Sequence, residues 1–105
     1  MIIVGFDIIA DLIQRETRQR PALGQVLNRK IATWRRDVER ARWKKPTEIK
    51  AVYGTADIVG SSRIVFDICG NSYRLVVRFN YTAGVARIRF AGAHAEYDRI
   101  DVLTV

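Results

Sequence analysis

Four side chains in the second half of the chain could carry proton and phosphate chemistry: Arg74, Arg89, His94 and Tyr97. His94 opens the run His94-Ala95-Glu96-Tyr97-Asp98. One helical turn there would bring Tyr97 and Asp98 beside the imidazole, at i+3 and i+4. Imidazole, phenol and carboxylate can hold or move protons. A guanidinium supplies a planar fork that grips phosphate through two parallel hydrogen bonds. These are the ingredients of metal-free RNA cleavage, in which the ribose 2′-OH attacks the adjacent phosphate and expels the 5′-oxygen. That reaction needs a base, an acid and cations around the pentavalent phosphate. The same His, Tyr and Asp could also be an ordinary anchor for a turn, so the elements that position them decide between the two.

Those elements have period two. Residues 63–69, 73–79 and 85–91 alternate apolar and polar, which predicts three antiparallel strands. Gly70-Asn71 is a hairpin turn, with glycine supplying positive φ at the first central position. A two-residue turn there sets Asp67 opposite Arg74 and Arg63 opposite Arg78. A slip of one residue would scramble both faces. Ile64, Phe66, Ile68, Tyr73, Leu75, Val77 and Phe79 then share a greasy side, joined by Ala86, Ile88 and Phe90. The other side carries Arg63, Arg74, Arg78, Arg87 and Arg89, with Asp67 as its acid and Val65 and Val76 between. Five arginines against one acid repel one another until an anion arrives, which suits phosphate. Gly92 offers a sharp exit from the sheet toward His94.

The first half supplies the cover for the greasy side. Residues 1–4 read as a short strand. Asp7 can cap a helix bearing Ile8, Ile9, Leu12 and Ile13. Residues 17–20 are a polar break, and Pro21 suits the first turn of a second helix. That helix places Leu23, Leu27, Ile31, Trp34, Val38 and Ala41 at steps of three and four, and Arg29, Arg35, Arg36 and Arg40 opposite. Pro46 opens a short helical turn over 47–53 that Gly54 stops. The expected fold is therefore α+β over residues 1–105 as one domain: a short strand and two helices packed on an antiparallel sheet, with a C-terminal helical turn.

Charge and composition narrow the function. The chain has 18 basic and 11 acidic residues, a net charge of +7, and residues 29–50 hold most of that excess. Lys44 and Lys45 extend the basic helix, which with Arg35, Arg36 and Arg40 forms a candidate surface for RNA or an acidic partner. With one cysteine, Cys69, and one histidine, neither an internal disulfide nor a His-rich or multi-cysteine metal centre can form. No metal or other cofactor is expected. Phosphate-loop, dinucleotide and hydrolase-elbow motifs are missing. No apolar run reads as a secretory signal or membrane span, so a cytoplasmic protein is expected.

Several strings, in order, carry a family resemblance: Ala41-Arg42-Trp43-Lys44-Lys45-Pro46, then Arg63-Ile64-Val65-Phe66-Asp67-Ile68, then Asn71-Ser72-Tyr73-Arg74-Leu75-Val76-Val77, then the His94–Asp98 tail. From about residue 21 to Ile100 the chain resembles the HigB family of bacterial type II toxins, in the RelE-like superfamily. Met1–Asp7, apolar and acidic, departs from the basic start of family members. The resemblance implies a ribosome-dependent messenger-RNA endonuclease held inactive by a cognate helix-turn-helix antitoxin, HigA-like, that also represses the shared operon. Arg74, Arg89, His94 and Tyr97 would then form the catalytic set, and Arg63, Arg78 and Arg87 with the basic helix would bind RNA. Two other classes stay open. A toxin of the same superfamily that inhibits a protein target would have no use for arginines clustered with His and Tyr. A non-catalytic RNA-binding module would prefer aromatics on the basic face, where this pattern places none.

Overall fold

The computed structural model describes residues 1–60 and 62–105. Strand β1 (Ile2–Val4) leads into helices α1 (Phe6–Gln19) and α2 (Pro21–Arg40). A short helix α3 (Pro46–Val52) precedes strands β2 (Asp57–Val59), β3 (Arg63–Ile68), β4 (Tyr73–Asn80) and β5 (Val85–Ala93). A single turn, α4 (His94–Tyr97), follows. The sheet order is β1-β5-β4-β3-β2, antiparallel throughout except that β1 runs parallel to β5. The α+β architecture is the one the sequence implies. β2 is an addition: three residues are too few to show a period.

Both long helices lie on one face of the sheet. Ile9, Leu12, Leu27, Ile31, Trp34 and Val38 pack against Ile64, Phe66, Leu75, Val77 and Ile88 in one core. Edge-to-face aromatic contacts run through it, from Trp34 to Phe66 at 5.5 Å and from Phe66 to Phe79 at 6.2 Å. Such pairs add about 0.5–1.5 kcal/mol each beyond their burial. Gly24 brings α1 and α2 together so closely that a Cβ there would stand 2.6 Å from the Thr17 Cα.

Three local expectations change. Gly5, at φ 83°, is the residue before α1, and Asp7 sits inside its first turn without capping it. A residue free of a Cβ is needed there because the chain reverses from β1 directly into the helix. The polar break expected over 17–20 shrinks to Arg20 alone, with Pro21 at the start of α2. Gly92 has no left-handed backbone; it stays in β5 opposite Arg74, and the strand continues to Ala93.

The β3–β4 hairpin has the expected register, with Arg63 opposite Arg78 and Asp67 opposite Arg74. Gly70 has φ 67°, and Ser72 N–H donates to the Cys69 carbonyl across the turn. Cys69 itself also takes a positive φ, 56°. The β4–β5 pairing holds one surprise. It runs in step from Asn80–Val85 to Val77–Ile88, shifts by one, and resumes at Val76–Phe90. Arg89 is the unpaired extra residue, so the strand carries a β-bulge.

Candidate functional site

The bulge decides what the second face of the sheet presents. An alternating strand would send Phe90 into the core with Ile88. With Arg89 as an extra residue, Phe90 falls opposite Val76, on the arginine face, and Ala91 takes the core position opposite Leu75. Phe90 is accordingly outside the hydrophobic core cluster, and its ring packs at 6.3 Å against Tyr97 of α4. Gly92 serves this arrangement sterically, since a Cβ there would stand 2.6 Å from the Phe90 ring tip. The arginine face therefore carries an aromatic pair that the alternation concealed. Asp57, opposite Val65 on β2, adds a second acid at its edge.

Arg74 occupies the centre of the site. Its Nε lies 3.2 Å from Asp67 Oδ1, an ion pair that lacks the alignment of a hydrogen bond. Its guanidinium carbon stands 4.8 Å from the centre of the Tyr97 ring. Partial burial strengthens both contacts relative to water, and a cation over a phenol ring is worth about 0.5–2 kcal/mol. Asp67 and Tyr97 hold the side chain in place from two sides.

The α4 turn places the proton-handling groups as the spacing predicts. Ala93 N–H donates to Glu96 Oε1, and Arg15 of α1 donates to the same carboxylate at 2.9 Å. Main-chain His94 N–H donates to the Ser72 carbonyl beside the hairpin turn. His94 Nδ1 lies 3.1 Å from Asp98 Oδ2, and both side chains are substantially exposed. Asp98 beside Nδ1 favours the tautomer protonated there and leaves Nε2 able to accept a proton.

The remaining arginines of this face are not equivalent. Arg63 was expected to project into solvent; it is 6% exposed, and its Nη2 donates to the main-chain oxygen of Val105 at 2.8 Å. Arg89 Nε donates to the same oxygen at 3.1 Å. The segment after α4 thus folds back over the middle of the face, where Val65 and Val76 are buried although they lie outside the main core. Alternation in the strands could not reveal this cover, because it depends on where a nonperiodic tail comes to rest. Arg78 and Arg87 stay exposed at the far end of the face.

The basic helix is on the other side of the molecule. Arg36 and Arg40 point outward from α2, whose apolar stripe rests on the opposite face of the sheet. Arg35 is engaged at home, 4.0 Å from the Phe6 ring centre and 3.8 Å from Glu39. Lys44 and Lys45 are exposed ahead of α3. The cations assigned to RNA from sequence therefore form two surfaces, one on each side of the sheet. Among the described residues, no group of three or more His, Cys, Asp or Glu side chains is placed to hold a metal ion, and no helix is long and apolar enough to cross a membrane.

No individual curated protein matches the chain. A family model does, that of HigB_toxin, the RelE-like toxic component of a toxin–antitoxin system, and it matches residues 27–100. The matched stretch runs from the body of α2 through every strand after β1 to the end of α4, so it contains Arg74, Asp67, Phe90, His94 and Tyr97. With well over half of its length inside that match, the chain belongs to the HigB toxin family, and it is the toxin of a toxin–antitoxin pair whose partner is an antitoxin.

Proposed function

We propose that this toxin is a metal-independent endoribonuclease that cuts messenger RNA on the ribosome and so halts translation and growth in the cytoplasm. The observation that carries the reading is the fixed position of Arg74, between Asp67 and Tyr97, beside the turn that holds His94. A phosphate reaching Arg74 meets a preorganised cation, so little reorganisation is needed as charge builds on the pentavalent phosphate. His94, oriented by Asp98, takes the 2′-OH proton on Nε2 as the oxygen attacks phosphorus. The bond to the 5′-oxygen breaks, and a proton supplied by Tyr97 or by water completes the 5′-hydroxyl, leaving a 2′,3′-cyclic phosphate. Arg89 joins Arg74 in holding the phosphate once it exchanges the Val105 oxygen for a phosphate oxygen.

In this reading the antitoxin is a HigA-like helix-turn-helix protein, and the exposed cations of α2 and Lys44–Lys45 meet ribosomal RNA or that antitoxin. Primer extension on a defined message, with and without ribosomes, tests the proposal. Cuts in the ribosome lane support it, and an intact message in both lanes overturns it. The aromatic pair Phe90–Tyr97 on the basic face favours a second reading, an RNA-binding protein without nuclease activity. Messages that are retained by the protein but remain whole would favour that one.

A further inference from the structure

The far end of the arginine face has a groove of its own. Arg63, Arg78 and Arg87 form one row across three adjacent strands, each directly opposite the next. Like charges directly opposite destabilise a sheet. Arg63 turns to the Val105 oxygen, but Arg78 and Arg87 have no acidic group within 4.0 Å among the described residues. They line an open groove of about 580 Å³ together with Ser62, Asn80, Thr82 and the Tyr81 ring.

The other polar groups of this groove can donate. Asn80 commits its side-chain oxygen to Ala83 N–H at 2.9 Å, which leaves its NH₂ available. Ser62 holds φ 61°, a left-handed backbone unusual for a residue with a side chain. Its carbonyl accepts from Phe79 N–H, so this conformation closes the β3–β4 ladder while the hydroxyl lines the groove. Two unneutralised guanidiniums, an amide NH₂ and hydroxyls around one concavity match an anion with several acceptor oxygens. Arg74 and Arg78 lie on the same face of β4, four residues apart, which is about 13 Å at about 3.3 Å per residue. The groove is therefore separate from the site at Arg74 but lies along the same surface.

We propose that the groove of Ser62, Arg78, Asn80 and Arg87 is a second anion site that holds a backbone phosphate of the RNA strand whose scissile phosphate lies at Arg74. The proposal rests on the nuclease reading above and adds a substrate-positioning site to it. It sets the register of the strand more than one nucleotide from the cut.

The test is binding and cleavage of a single-stranded RNA 12-mer, and of a ribosome-bound message, over a series of salt concentrations. The proteins are the wild type, Arg78→Ala/Arg87→Ala, Arg87→Glu, and Arg18→Ala on α1 as a single-charge control. The double variant should bind the 12-mer at least tenfold more weakly at low salt and flatten its salt dependence by about 1.4 in log–log slope, near 0.7 per lost phosphate contact. Arg87→Glu should raise the melting temperature, because it replaces a repulsive cross-strand pair with an attractive one, and should still bind RNA more weakly. Wild-type cleavage with unchanged affinity and slope in the double variant overturns the second site and leaves the nuclease reading standing. A wild type that neither binds nor cuts RNA overturns both. Unchanged RNA binding with weakened antitoxin binding would make the groove a protein-docking surface and also overturns the proposal.

Discussion

The guanidinium of Arg74 lies over the ring of Tyr97, 4.8 Å from its centre, while Asp67 holds the same side chain from the neighbouring strand. A cation fixed from both sides is ready to receive phosphate. Arg74→Ala should lower cleavage about 10²–10³-fold and abolish growth arrest in a protein that still folds. Arg74→Lys should recover little, since an ammonium lacks the two-pronged donor geometry. Cleavage rates on ribosome-bound message, read beside melting curves, check both. Full toxicity of Arg74→Ala would reduce the residue to the partner of Asp67.

His94 and Tyr97 are expected to act on protons near that phosphate. His94→Gln and Tyr97→Phe should each lower cleavage by about 10²–10⁴-fold. Tyr97→Phe keeps a ring beneath Arg74, so its effect isolates the hydroxyl. If either side chain merely anchors the turn, melting temperature and activity fall together. Normal melting with lost cleavage supports proton transfer; normal melting with full cleavage refutes it.

The helical cations offer a separate measurement because they lie across the molecule from the site. Arg36→Ala with Arg40→Ala should weaken association with ribosomes or antitoxin mainly at low salt, while stability stays within about 0.5 kcal/mol. Arg35 is left out of this pair, since it contacts Phe6 and Glu39 and its loss would also disturb α1 and α2 packing. A salt dependence identical to wild type would show that Arg36 and Arg40 are simply solvated.

Stability should fall in alkali through Tyr73. Its hydroxyl donates to the buried carboxylate of Glu16, and burial first, then that bond and the nearby negative charge, push the phenol up to about 12. The unfolded phenol titrates near 10. Between those values the unfolded chain loses the proton that the folded protein retains, so stability declines as pH rises from about 10 to about 12. The stabilisation is fully present below that window. Burial and the bond to Asp37 also push the Tyr53 phenol up, in the same sense. Tyr73→Phe should remove its share of the pH dependence and cost about 1.5–3 kcal/mol at neutral pH, because Glu16 loses its buried donor. Chemical denaturation across this pH range would show the change; an unaltered alkaline slope would contradict it.

The amino-acid sequence by itself determined the hairpin register, the two-faced sheet and the helical stripe. Alternation through Ile64, Phe66 and Ile68 against Tyr73, Leu75 and Val77 admits one pairing, because a slip of one residue would bury Arg74 and expose the apolar set. The spacing of His94, Tyr97 and Asp98 likewise fixed which groups one helical turn brings together. Tertiary structure decided the rest. The bulge at Arg89 turned Phe90 from the core to the arginine face, and a single inserted residue leaves no mark on the local pattern until its partner strand is known. The parallel docking of β1 on β5 joins residues more than 80 positions apart. The fate of Arg63 was settled by the tail: Val105 reaches a position where its oxygen accepts from Arg63 and Arg89 together, which short-range periodicity cannot encode. Which side of the molecule each basic group occupies followed from α2 packing its apolar stripe on the sheet, and that separated one run of positive charge into two surfaces with different uses.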